Sequence, residues 1–184
     1  MRPNWFFAFP LDGAFVLDLP KVPRGFRRYH PADVHLTLAF LGGCGEDGAQ
    51  RALQALDARL NEVKPRRIQV SLAEVVAMGS KRKYSALSAL LAEGREETEA
   101  CIGALRGAPM VAAKGREEKR APKAHVTIAR PVRAGGPERA AGLAWASGVD
   151  LRAVHATLDR VALYTWSEDR RERQFRIIVE RALG

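Results

Sequence analysis

The sequence predicts an α+β fold of two pseudo-symmetric lobes of antiparallel sheet, with helices outside and a cleft between them. Two observations lead there. The run His35-Leu36-Thr37-Leu38-Ala39 returns ninety positions later as His125-Val126-Thr127-Ile128-Ala129, and each copy alternates polar and apolar residues as a strand with one buried face does. Strand-like segments also come in antiparallel runs with helical segments between them, which argues against a parallel doubly wound sheet. Two halves that each donate one His-Thr strand would enclose a cleft at their junction. At 184 residues the chain fits one bilobal domain, 1–184.

The elements follow in order. Trp5 to Phe9 reads as an aromatic strand closed by Pro10. Leu11 to Leu19 is a short helix or a loop. Pro20, Pro23, Gly25 and Pro31 mark an irregular basic connection. The strand from Val34 to Leu41 stops at Gly42-Gly43. Glu46 to Val63 is the clearest helix, with Ala49, Leu53, Leu56, Leu60 and Val63 on one face, acidic residues in its first turn, and Pro65 to end it. Ile68, Val70 and Leu72 alternate as a strand, with Tyr84 to Leu91 as hairpin partner. Glu93 to Arg106 reads as a second helix with Ala100, Cys101, Ala104 and Leu105 inward. The His125 strand stops at Pro131, and Ala134 to Gly148 is a loop or short helix. Val154 to Trp166 and Gln174 to Glu180 form a closing hairpin, its second strand alternating Phe175, Ile177 and Val179.

The chain has only four histidines, and two occupy the repeated frame. Leu36, Leu38, Val126 and Ile128 point into packed cores, so His35 with Thr37, and His125 with Thr127, project together from the other faces. Histidine gives or takes a proton near neutral pH. Two facing imidazoles supply a general base and a general acid for one in-line displacement at phosphorus. Each threonine hydroxyl, one same-face step away, can donate to an oxygen whose negative charge grows in the transition state. His155, in His155-Ala156-Thr157-Leu158, echoes the motif but lacks the large apolar spacer and the following alanine, so its role is structural. His30, between Tyr29 and Pro31, reads as a surface residue.

The two motifs resemble those of the 2H phosphoesterase superfamily and, within it, the RNA 2′,3′-cyclic phosphodiesterases, also called 2′-5′ RNA ligases. The resemblance runs nearly end to end: the opening Trp5-Phe6-Phe7-Ala8-Phe9-Pro10 strand, the His35 to Gly42 block, His125-Val-Thr-Ile-Ala-Arg130, and the closing Leu158 to Tyr164 strand. It departs at Ala121-Pro122-Lys123-Ala124, where the family often has an aromatic and Pro-His, and at Lys83 to Leu87, where it often has Trp. The resemblance implies hydrolysis of an RNA 2′,3′-cyclic phosphate end to a 2′-phosphomonoester, with the reverse reaction giving a 2′-5′ linkage. It implies His35, Thr37, His125 and Thr127 as the catalytic set, with His125 activating water and His35 protonating O3′. It also places Arg130 at the phosphate, which a guanidinium suits geometrically. Strand alternation alone sends Arg130 to the opposite face unless the strand ends there, as Pro131 suggests. Phe7, on one face of the first strand with Trp5 and Phe9, is taken as the ring for stacking on a base, with Phe6 opposite and Tyr84 lining the cleft.

A net charge of +9 favours a polyanionic partner. Of the basic clusters (Arg24 to Arg28, Lys64 to Arg67, Lys81-Arg82-Lys83, Lys114 to Lys123, Arg170 to Arg173), that from Lys114 to Lys123 leads straight into the His125 strand, where phosphates would arrive. The expected partner is RNA with a 2′,3′-cyclic phosphate end, bound by a monomer. No apolar run reaches the roughly 18 residues of a membrane span. The N-terminus lacks a secretory pattern, and Cys44 and Cys101 form neither a disulfide framework nor a metal site, so the expected compartment is a reducing cytoplasm. No nucleotide-binding glycine loop and no metal-ligand spacing appear, so no cofactor and no metal are expected. Two other functions share these features: an RNA-binding module without chemistry, and an enzyme acting on a small cyclic nucleotide-sugar phosphate.

Overall fold

A computed structural model describes residues 2–80 and 83–184; Lys81 and Arg82, part of one basic cluster, lie outside them. Along the chain come β1 (Trp5–Pro10), β2 (Phe26–Arg28), β3 (His35–Gly42), α1 (Gly45–Val63), β4 (Ile68–Met78), β5 (Ala86–Glu93), α2 (Arg95–Lys114), β6 (His125–Pro131), α3 (Gly136–Ser147), β7 (His155–Leu158), β8 (Arg160–Trp166) and β9 (Phe175–Ala182). Leu11 to Leu19 contains a single 3₁₀ turn, Ala14–Leu17. Ala134 to Gly148 is helical as α3. Lys64, just before Pro65, takes a left-handed conformation and ends α1, its N–H donating to the Leu60 carbonyl at 2.9 Å.

The strands join in the order β7-β4-β5-β6-β3-β1-β8-β9, with every pairing antiparallel and β2 added to β6. Each half has four strands on this path, with its His-Thr strand innermost. Between β3 and β6 the register has one pair, Leu36 opposite Val126. The sheet is a curled half-barrel: β7, at one end of the order, and β8, near the other, are separated in sequence only by Asp159. One apolar cluster runs through both halves and takes in Leu36, Leu38, Val126 and Ile128 together with Leu53 and Leu56 of α1 and Ile102 and Leu105 of α2. The helices α1 and α2 pack on each other, α2 also on β3, and α3 on β4 and β5. Among the described residues no helix is long and apolar enough to cross a membrane.

Four local expectations are corrected. The basic connection contains β2, which pairs with β6 at Arg28–Ala129, Arg27–Arg130 and Phe26–Pro131. Once β3 and β6 diverge, the edge of β6 is open, and this short strand occupies it. The second helix runs on past Arg106 to Lys114, through Pro109. Pro109 and Met110 are both buried, so apolar packing offsets the hydrogen bond that an interior proline removes. The longer helix buries Thr98, Cys101, Ile102 and Leu105, which leaves Ala100 outside. The segment 154–166 is two strands, broken at Asp159: β7 pairs with β4, and β8 pairs with β1 and β9. On the edge strand β9, Ile177 is exposed while Phe175 and Val179 are half-buried.

Candidate active site

The single Leu36–Val126 pair sets the site. Continued one residue each way, its antiparallel register puts His35 opposite Thr127 and His125 opposite Thr37, all on the face away from the apolar cluster. Each motif then carries the same irregularity. Thr37 and Ala39 sit opposite the adjacent β1 residues Ala8 and Phe7, so Leu38 is an extra residue in β3. Thr127 and Ala129 sit opposite the adjacent Ser88 and Leu87, so Ile128 is extra in β6. A one-residue bulge reverses strand alternation beyond it. Leu38 and Ala39, like Ile128 and Ala129, are buried together, and the residues that follow, Phe40 and Arg130, swing back to the histidine face.

Both histidines are held by one device. His35 Nδ1 lies 2.7 Å from the Asp33 carbonyl, and His125 Nδ1 lies 2.7 Å from the Lys123 carbonyl. A carbonyl only accepts, so each neutral ring carries its proton on Nδ1 and keeps the lone pair on Nε2 for chemistry. Their surroundings differ. His35 is buried among Phe6, Tyr164, Phe175 and Tyr29, with ring centroids 4.9, 5.4, 5.6 and 6.2 Å away. Burial pushes its pKa down to about 4, against the hydrogen bond to Asp33, while the charges of Arg130 and His125 lower it further. His125 is half-buried; burial lowers its pKa as well, opposed by the Lys123 carbonyl and aided by the charges of Lys123 and Arg130.

If the two rings work as an acid/base pair, these directions set a pH dependence. Activity falls as pH drops below the pKa of the base and as it rises above that of the acid. The optimum therefore lies midway between the two, whichever group plays which part. Both values lie below the ordinary histidine value of about 6.5. The profile of kcat/KM against pH is then expected to centre on the acid side of that value, and that of kcat higher if the substrate is an anion, whose negative charge would raise both pKa values. A kcat/KM optimum on the alkaline side would show that these two rings do not carry the proton transfers.

Two open hollows meet over the seam and share Thr37 and Phe40. One, of about 210 Å³, holds His35 with Phe6, Tyr29, Arg130 and Arg170; the other, of about 530 Å³, holds His125 with Met110, Lys114 and Lys123. Thr37 is half-buried between them, and Thr127 is buried, its hydroxyl 3.3 Å from that of Ser88. The Arg130 guanidinium carbon lies 5.7 Å from the centre of the Tyr29 ring. Phe40 is 51% exposed and was not singled out in the sequence, where the bulge that turns it outward leaves no mark. Phe7 is corrected: it is completely buried in the main apolar cluster, and Phe6, on the other face, packs on His35 instead. Tyr84 is also corrected: it lines neither hollow, and its hydroxyl donates to the Arg139 carbonyl of α3 at 2.8 Å. His155 is exposed on β7, away from both hollows, and His30 is exposed, its Nδ1 accepting from the Ala32 N–H. Among the described residues no group of three or more His, Cys, Asp or Glu is placed to hold a metal.

Paired His-x-Thr strands thus flank the seam of a curled antiparallel sheet. The model of the LigT-like phosphoesterase family matches residues 18–87, which include the first motif. The fold as a whole is shared with the crystal structure of Escherichia coli LigT complexed with 3′-AMP (17% identity, TM-score 0.69, covering 100% of this chain and 99% of that one). It is shared too with TT0787 of Thermus thermophilus (21% identity, TM-score 0.62, 98% and 97% covered) and, more distantly, with Usb1 of Kluyveromyces marxianus (13%, 0.52, 88% and 92%). No curated protein sequence matches. Residues 18–87 thus match the LigT-like phosphoesterase family model, and the whole chain has the fold of these solved structures.

Proposed function

We propose that this protein is a 2H phosphoesterase that hydrolyses 2′,3′-cyclic phosphate ends of RNA to 2′-phosphomonoesters by two-histidine general acid/base catalysis, without a metal. The observation that carries the reading is the pairing of two imidazoles, each fixed with Nε2 free, on strands that meet at one residue pair. One imidazole takes a proton from water as its oxygen attacks phosphorus, and the other gives a proton to O3′ as the P–O3′ bond breaks. Thr37, Thr127 and Arg130 supply donors for the phosphate oxygens, the part that a metal plays elsewhere. Run in reverse, with a 5′-hydroxyl in place of water, the same steps form a 2′-5′ linkage. Lys114 and Lys123 beside His125, and Arg130 and Arg170 beside His35, support RNA as the partner.

Turnover of a 2′,3′-cyclic nucleotide and of an oligonucleotide with a cyclic phosphate end tests this, with EDTA present throughout. Formation of the 2′-phosphate at an undiminished rate is expected. Loss on chelation that a divalent ion restores would overturn the metal-free mechanism. Tight RNA binding with no turnover would favour the binding module.

A further inference from the structure

Asp33 stands two residues before His35, and its two ends serve different parts of the site. Its backbone carbonyl is the acceptor that fixes the His35 ring. Its carboxylate, buried to 1% exposure, accepts the backbone N–H groups of Gln174 (2.6 Å, Oδ2) and Phe175 (2.9 Å, Oδ1). Those residues lead into β9, and Phe175, its first residue, meets the His35 ring edge-on, at 82° between planes, and also packs against Phe6. Arg27 of β2 also holds the β8–β9 connection, donating to the Arg170 carbonyl at 2.8 Å. His125 has no such arrangement: its ring bonds the carbonyl of exposed Lys123.

We propose that Asp33 is a positioning residue for His35: through its carbonyl it orients the ring, and through its carboxylate it draws Phe175 over that ring and keeps water from it. A buried carboxylate is tolerated only when its oxygens find donors, and here each oxygen has one from the segment that closes the His35 side. The coupling joins two elements far apart in sequence at a single side chain. It explains why the two motif histidines, held by the same backbone device, have unequal environments. The charged or titratable groups around His35 are Tyr29, Tyr164, Arg130, Arg170, His125 and Asp33 itself; Phe6 and Phe175 bring only apolar surface.

The proposal rests on His35 as one of the acid/base pair, and its test is read on the ring itself. The four histidines are titrated by NMR in the wild type, Asp33→Asn and Phe175→Leu, alongside kcat and KM on a cyclic nucleotide. Asparagine sets an amide NH₂ against a backbone N–H, so Phe175 is released and water reaches the ring. In both variants the His35 titration is expected to rise by about a unit or more toward the ordinary value while that of His125 holds. Asp33→Asn is expected to lose roughly 10–100-fold in kcat with little change in KM, the scale of a small misplacement. An unmoved His35 titration in folded Asp33→Asn, or in Phe175→Leu, overturns the proposal; the second variant keeps both carboxylate bonds and decides the matter if the first does not fold. Retained turnover in His35→Ala would instead remove the acid/base reading and leave the titration result standing.

Discussion

His35→Ala and His125→Ala are each expected to lower kcat on a 2′,3′-cyclic phosphate by about 10²–10⁴-fold, the usual contribution of a positioned acid or base. In barrier terms that is about 3–5 kcal/mol for each ring. The loss is expected in kcat, because the proposed phosphate donors, Thr37, Thr127 and Arg130, stay in place. The two variants differ in what else they disturb. Removing the half-buried His125 ring widens an already open hollow. Removing His35 empties a space enclosed by four aromatic rings and leaves the Asp33 carbonyl without its donor, so His35→Gln is the companion control. His155→Ala alters an exposed side chain on β7 and is expected to leave kcat unchanged. Steady-state turnover of the three alanine variants, with unfolding midpoints to show that each is folded, measures this. Near-wild-type kcat in either motif variant would remove that histidine from the proton transfers.

The His-Thr quartet of the candidate site was legible because its residues repeat on a period of two around residues that can only be core. The clearest helix was legible for the same reason, and its bounds as read, Glu46 to Val63, differ from α1 by one residue. What lay beyond the motifs was not legible, because a bulge has no local signature: it follows from how Leu38 and Ile128 meet β1 and β5. Alternation alone therefore sends Arg130 to the wrong face unless the strand ends at Pro131, and it gives no reason to single out Phe40, its counterpart in the other half. Phe6 and Phe7 show a different limit. Both faces of β1 are apolar, since one packs into the main cluster and the other into the aromatic group around His35. Alternation separates the two sets without saying which faces the site. The reach of α2 through Pro109 and the break at Asp159 depend on tertiary partners distant in sequence.

A substrate whose leaving group needs no proton is expected to rescue His35→Ala and not His125→Ala. The 4-nitrophenyl phosphodiester of a 2′-deoxynucleoside serves, since its phenolate departs unprotonated and no 2′-hydroxyl competes with water. An acid is redundant for such a leaving group, whereas the attacking water still needs its base. On this substrate His35→Ala is expected within about tenfold of wild type and His125→Ala still down by about 10²–10⁴-fold. The assignment makes a demand on the site. With its pKa near 4, His35 is neutral in the free protein at neutral pH, and it must gain the proton that it later gives to O3′. The substrate supplies the reason: a phosphate anion in the hollow that holds His35 and Arg130 offsets the arginine's charge and favours the imidazolium. Burial sharpens this response, because a charge brought into a poorly solvated site is weakly screened. The opposite pattern, rescue of His125→Ala alone, would make the neutral, enclosed His35 the base and exchange the two roles. Rescue of neither would mean that both rings act chiefly by holding the phosphate.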